Sequence, residues 1–197
     1  MARRDWMRLP AAVRARFSKH REAGQSVVYR GQITEIRFSR LGWVLAQALR
    51  LIGAPLPLDR EAEGRAAVVA VTEGPGGSGQ IWTRLIAREG RFPQMIHSAK
   101  RFSGPTGLEE RVGHGIGMTL RIAEENGSLV FRSAGYFIEV LGRRLSLPRW
   151  MTPGDLVVGH HDLRRGRFAF TLDLTHPIFG PLIHQTAIYA DMSEKQL

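Results

Sequence analysis

From residue 65 to residue 190 the chain reads as one strand after another, with little more than a turn between most of them. Arg65 to Thr72 is a short β-branched run, and Gln80 to Arg88 alternates as a half-buried strand does. Gln94 to Phe102 is a further candidate. Ile116, Met118, Leu120 and Ile122 share one face of the next, and Asn126–Gly127 turns it into Leu129 to Leu141. That dipeptide is the strongest hairpin signal in the chain. Beyond a loop over 146–155 come Leu156 to Leu163, Arg167 to Leu174 and Pro181 to Ala190, with Phe168, Phe170, Leu172 and Leu174 on one period-two face. Connections this short join antiparallel neighbours, because a parallel crossover needs about a dozen residues or more.

Ahead of this series, Ser26 to Phe38 mixes β-branched and aromatic residues and reads as a strand. A helix is expected from about Arg40 to Ile52, with Ser39 as N-cap and Gly53 ending it. It is apolar nearly all round, which predicts burial on several sides. Pro55 and Pro57 then make 54–58 an extended exit. Another helix is expected near Pro10 to His20, where Leu9, Val13 and Phe17 recur every fourth residue and Gly24 acts as a stop.

About nine antiparallel strands with one apolar face will curl. The chain thus predicts an α+β fold, mainly β: a strongly curved antiparallel sheet or β-barrel of about eight to nine strands with one or two helices. A helix-grip, START-like wrap around the buried helix is the alternative. No boundary, repeat or low-complexity tract interrupts residues 1–197, so one domain is expected. Its basic helix lies at about 10–20 and its β-rich body at about 26–190.

Charge offers a function and then weakens it. The 28 Lys plus Arg outnumber the 18 Asp plus Glu, a net charge of +10, and only three of the cations are lysines. Such a surplus suits phosphate neutralisation. The arginines are scattered, however, and the densest cluster (Arg3, Arg4, Arg8, Arg14, Arg16, Lys19 and Arg21) lacks interleaved aromatic platforms. An arginine-biased, solubilising surface is the simpler reading, and nucleic acid is not an expected partner. Docking of the basic N-terminus on a polyanion or partner is kept as a second alternative. The longest apolar stretch, 41–52, is too short for the roughly 20 residues of a membrane span. The chain reads as cytoplasmic and not transmembrane.

Several chemistries are removed outright. With no cysteine there is no disulfide, thiolate nucleophile or cysteine-held metal. The run from Gly74 to Gly79 fits G-x-G-x-x-G, but residues 80–85 alternate like a strand where the dinucleotide motif needs a helix. No Gly-x-Ser-x-Gly or His-Glu-x-x-His occurs, and adjacent His160 and His161 point to opposite faces of a strand. Neither a metal nor a cofactor is expected.

Polar residues that alternate with core residues carry more information. Arg84 shares a face with Trp82 and Ile86, Glu139 with Phe131, Phe137 and Leu141, and His184 with Leu182 and Ile188. A buried charge needs a partner, which pairs Arg84 with Glu139 across the interior. Trp82, Arg84, Glu139 and His184 are the expected ligand-binding residues of a mostly apolar pocket. The leading expectation is a non-catalytic site for a small, largely apolar molecule. The alternative is acid–base chemistry of the cyclase, isomerase or dehydratase type in the same pocket, with Glu109, Glu110, Glu139 and His184 as candidate groups.

An ordered series of short motifs adds to this. Trp82–Thr83–Arg84, Phe102–Ser103, Gly107–Leu108–Glu109–Glu110, Leu141–Gly142, Leu145–Ser146–Leu147–Pro148, Asp162, Phe168–Ala169–Phe170 and His176–Pro177–Ile178–Phe179–Gly180 come in that order. Together they resemble the bacterial domain of unknown function 4166 family over about residues 9 to 190. The resemblance implies a functional link to a nicotinamide-dependent, saccharopine-dehydrogenase-like protein. The final strand departs from the family's tyrosine–small–glycine pattern, with Ile183–His184–Gln185 and Tyr189–Ala190–Asp191 in its place.

Overall fold

The computed structural model describes residues 1–18, 26–74 and 79–191. Two short helices, α1 (Arg3–Arg8) and α2 (Ala11–Ser18), precede β1 (Ser26–Phe38). Helix α3 (Arg40–Ala48) comes next and tightens into a 3-10 turn over Leu49–Ile52. Ten strands complete the chain: β2 (Ala66–Glu73), β3 (Gly79–Arg88), β4 (Arg91–Arg101), β5 (Glu109–Gly113), β6 (Ile116–Glu125), β7 (Ser128–Val140), β8 (Arg143–Ser146), β9 (Asp155–Asp162), β10 (Arg167–His176) and β11 (Gly180–Ala190). A second 3-10 turn, Arg149–Met151, leads into β9.

The expected curved sheet closes on itself. Hydrogen bonding runs β6-β5-β4-β3-β2-β1-β11-β10-β9-β7, and β6 also pairs with β7. Ten antiparallel strands therefore form a closed barrel, with β8 hung outside on β7. Closure leaves no free edge in the ring. At the β6–β7 turn Asn126 and Gly127 both take positive φ, 51° and 78°, as a two-residue hairpin of matching twist requires.

Two expectations are corrected. Helix α3 is not wrapped by the sheet, and the helix-grip alternative falls with it. The helix lies outside the barrel against β11, burying only Gly42 and Ala46 while Leu41, Trp43 and Val44 stay exposed. A Cβ on Gly42 would collide with the carbonyl oxygen of Leu182, so the small residues at 42 and 46 set the contact stripe. The strands number eleven rather than eight or nine. The extra two, β5 and β8, are short and charged (Glu-Glu-Arg-Val-Gly and Arg-Arg-Leu-Ser) and lack a readable apolar alternation. The N-terminal helix is found over Ala11–Ser18, while its expected end at His20 and stop at Gly24 lie outside the described residues.

Different segments cover the two barrel ends. At one end, α2 places Val13 and Phe17 over the opening, and Phe17 packs against Trp82, Phe131 and His160. Arg16, with its side chain only 7% exposed, donates to Asp191 at 2.7 and 2.9 Å and to Asp162 at 3.3 Å. Its guanidinium also lies 4.3 Å from the Phe168 ring centre. One of the expected basic residues is thus spent on sealing the fold. Lys19 and Arg21 lie outside the described residues. At the opposite end the segment 54–58 crosses inward, with Leu56 and Leu58 buried. Buried Gln94 holds it, accepting from the Leu58 amide at 3.0 Å and donating to the Leu56 carbonyl at 2.8 Å.

Candidate functional site

Alternation along β3, β4 and β5 sends one residue in two into the barrel. Trp82, Arg84 and Ile86 point inward from β3, and Ile96, Ser98 and Lys100 from β4. Register sets Lys100 directly opposite Glu110 on β5. The three charges meet: Glu110 Oε1 lies 3.1 Å from Lys100 Nζ and 3.3 Å from Arg84 Nη2, which also donates to Ser98 Oγ at 3.3 Å. Lys100 Nζ stands 4.6 Å above the Trp82 ring, a cation–π contact.

Burial alone would raise the Glu110 carboxyl, but Lys100 and Arg84 outweigh it and hold the group at about 2. Burial lowers Lys100, against the attraction of Glu110. With Lys100 protonated, one carboxylate faces two cations, and the cluster then carries a surplus positive charge inside an apolar wall.

Space remains around this cluster. A cavity of about 70 Å³ lies beside it, walled by Val69, Trp82, Phe170, Ala187 and Tyr189. A larger one, about 200 Å³, extends toward the α3 end between Leu49, Ile52, Pro55, Tyr136, Ile138 and Met151. Arg84, Glu110, Ile96, Leu156, Val158 and Leu172 belong to the walls of both. A third, about 160 Å³, sits beneath α1 and α2 and reaches Trp82 and Lys100 from the other side. Tyr136 lines the larger cavity with its hydroxyl already donating to the Gly154 carbonyl at 2.9 Å. Burial pushes that phenol up to about 12.

Of the four expected ligand-binding residues, Trp82 and Arg84 line the interior. Glu139 is on the outer face, 2.8 Å from Arg111. The interior pairing of Arg84 with Glu139 is therefore corrected, since Arg84 takes Glu110. A bulge is the reason. Between Thr119/Leu120 and Gly135/Ser133 one extra residue, Ala134, enters β7 and reverses its alternation. Phe131 points inward before the bulge and Tyr136 and Ile138 after it, which turns Phe137 and Glu139 outward.

His184 also faces outward, 2.6 Å from Asp173 and 3.5 Å from Glu35. Gln185, Ala187 and Tyr189 are the inward residues of β11. Leu182, the guide to the His184 face, is buried because α3 covers that side of the strand.

Lys100 and Ser98 escaped the sequence reading, although they alternate with Ile96. Glu110 entered only as a candidate acid–base group. Glu109, by contrast, is buried on the outer side against Arg144 and Arg111.

His160 and His161 do point to opposite faces. His161 bonds Ser128 and Thr171. His160 is 1% exposed, stacked 4.8 Å from Phe168, and neither ring nitrogen has a hydrogen-bond partner among the described residues. Burial, aided by Arg16, lowers it to about 3.

Residues 75–78 of the glycine-rich run lie outside the described residues; its flanks, Glu73 and Gln80, pair as strand neighbours, and the run leads into β3 rather than a helix. Among the described residues no group of three or more His, Asp or Glu is placed to hold a metal ion. No helix among them is long and apolar enough to cross a membrane.

No curated protein and no solved structure matches the chain. A family model does, over residues 9–188, nearly the whole length, and the chain belongs to the family described as Domain of unknown function (DUF4166).

Proposed function

We propose that the barrel is a binding domain for a small, largely apolar molecule carrying one anionic or strongly polarised carbonyl group. The observation that carries this reading is the surplus cation of the Arg84–Glu110–Lys100 cluster, set between apolar cavities of about 70 and 200 Å³. An anion placed there completes the charge balance of a site poor in water, where an ionic hydrogen bond is strong. Trp82 supplies apolar surface beside the head group and holds Lys100 in place.

Binding is favoured over acid–base catalysis. Glu110 at about 2 is a weak base at neutral pH, and Glu109, Glu139 and His184 are spread over the outer face. A dehydrogenase-like partner, implied by the family resemblance, would then act on or supply the carried molecule; a gene for one beside this chain's gene would support that link.

The test is titration with a dansyl-labelled long-chain fatty acid and with its methyl ester, monitored by fluorescence. The acid is expected to bind with blue-shifted emission, and the ester more weakly. Arg84→Met is expected to weaken the acid about ten-fold or more and to leave the ester nearly unchanged. Equal affinity of acid and ester, or no effect of R84M, would refute the reading. Native mass spectrometry of the purified protein gives the natural occupant directly.

A further inference from the structure

The larger cavity points toward the end of the barrel opposite α2, and its mouth has an unusual surround. Two segments frame it. The first runs over 40–58 and gives Leu49, Ile52, Pro55 and Leu56 to the cavity wall; the second runs over 140–154 and gives Leu147, Met151 and Pro153. On their outer sides these same segments leave apolar side chains in solvent. Leu51 is 86% exposed on the first 3-10 turn, Trp150 is 78% exposed on the second, and Leu141 at the β7–β8 turn is 98% exposed.

Both segments are also one-signed. Together they hold five arginines and no Asp or Glu. Arg144 is taken by Glu109, while Arg40, Arg50, Arg143 and Arg149 are exposed. Asp155, next after the second segment, lies 3.9 Å from Arg149 with both side chains in solvent.

We propose that this rim is a membrane-docking surface, which seats the cavity mouth on an anionic lipid bilayer. Apolar tips on rigid turns enter the acyl boundary, and the arginines stay at the level of the phosphates. The charge pattern selects this occupant. A second copy of the chain would set arginines against arginines, whereas anionic headgroups complement the four exposed arginines of the two segments. Apolar and cationic groups act together here, because one or two exposed side chains alone hold a protein to lipid only weakly. Docking in this pose lets an apolar acid pass between bilayer and barrel without crossing water. That consequence rests on the proposed binding function; the docking itself does not.

The experiment is flotation of the full chain with vesicles of phosphatidylcholine alone and of phosphatidylcholine mixed with phosphatidylglycerol. Binding is expected to the mixed vesicles, with a loss as salt is raised. Arg50→Gln with Arg149→Gln is expected to weaken it about twenty-five-fold, from about 1 kcal/mol for each arginine. Leu51→Ser with Trp150→Ser is expected to weaken it by at least ten-fold; both side chains are exposed, so the fold is kept. Brominated lipid is expected to quench tryptophan emission in the native protein and much less in Trp150→Phe.

Arg3→Gln with Arg4→Gln, at the other end of the barrel, is the control. If that pair abolishes flotation while the rim variants keep it, the proposal is overturned. It is equally overturned if anionic vesicles never bind, or if the rim proves to drive self-association in sedimentation. Fatty-acid titration in solution reads the interior separately, so a failure of docking and a failure of binding are told apart.

Discussion

Replacing His160 with phenylalanine is the sharpest test of how this interior is built. The imidazole is 1% exposed, lies among Phe17, Phe168 and Phe170, and meets no hydrogen-bond partner among the described residues. Burial first, and Arg16 second, bring it from 6.5 to about 3. Between about 3 and 6.5 the folded protein therefore keeps this ring neutral where the unfolded chain would protonate it. Stability is full above 6.5 and is lost as pH falls toward about 3, at about 1.4 kcal/mol per pH unit. Between pH 7 and pH 5 the loss comes to about 2 kcal/mol, before Glu110 contributes.

Urea unfolding of native and H160F protein at the two pH values measures it. H160F is expected to be at least as stable at pH 7, since it removes two unpaired buried nitrogens. Its loss on going to pH 5 is expected to be smaller by about 2 kcal/mol, or about 4 to 8 °C in Tm for a chain of this size. Equal acid losses in the two proteins would refute the reasoning. A large destabilisation of H160F at pH 7 would show that the imidazole makes a bond it lacks in this structure.

Three further outcomes are expected from other contacts. Arg16→Ala removes the partner of Asp162 and Asp191 and the lid over Phe168, and is expected to cost about 3 kcal/mol in thermal or urea unfolding, with Arg16→Lys restoring part of it. Gln94→Leu unties segment 54–58, leaving the Leu58 amide and Leu56 carbonyl without their partner; a loss of about 1 to 3 kcal/mol and faster hydrogen exchange confined to that segment are expected. Glu110→Gln strands Lys100 and Arg84 and is expected to destabilise the barrel at neutral pH. It also removes an acid sensitivity: Glu110 stabilises above its usual 4.5 and loses that contribution as pH falls toward about 2, so the variant's stability is flatter over that window.

Where a segment's own periodicity decides its structure, the sequence is readable. β1, at Ser26–Phe38, falls where its β-branched and aromatic run lies, and Asn126–Gly127 turns as its backbone preferences demand. Arg84 beside Trp82 marks the interior for the same reason, since β3 alternates without interruption from Trp82 to Ile86. The features that stayed hidden depend on other parts of the chain. Nothing local announces the bulge at Ala134 that moves Glu139 outside. Leu182 looks like a core-facing residue because α3 covers it, and that cover comes from a distant helix. Helix α3 itself is apolar on faces that end up exposed, so composition pointed to burial where the fold gives it a rim. The partner of Arg84 sits 26 residues away on a five-residue strand of mostly polar residues, which only cross-strand register can align.

The extra residue at Ala134 makes the length of β7, more than its composition, decide which side chains line the barrel's interior. Every side chain from Tyr136 to Val140 owes its side of the wall to that single insertion. Deleting it would exchange two sets at once, drawing Phe137 and the Glu139 carboxylate inward and expelling Tyr136 and Ile138. The cavity would then receive a second carboxylate on the side of Glu110, facing the same two basic side chains, Arg84 and Lys100. A ten-strand barrel of this kind therefore tolerates many substitutions on β7 more readily than one missing residue, and a change in count at that point is a change in the charge of the interior.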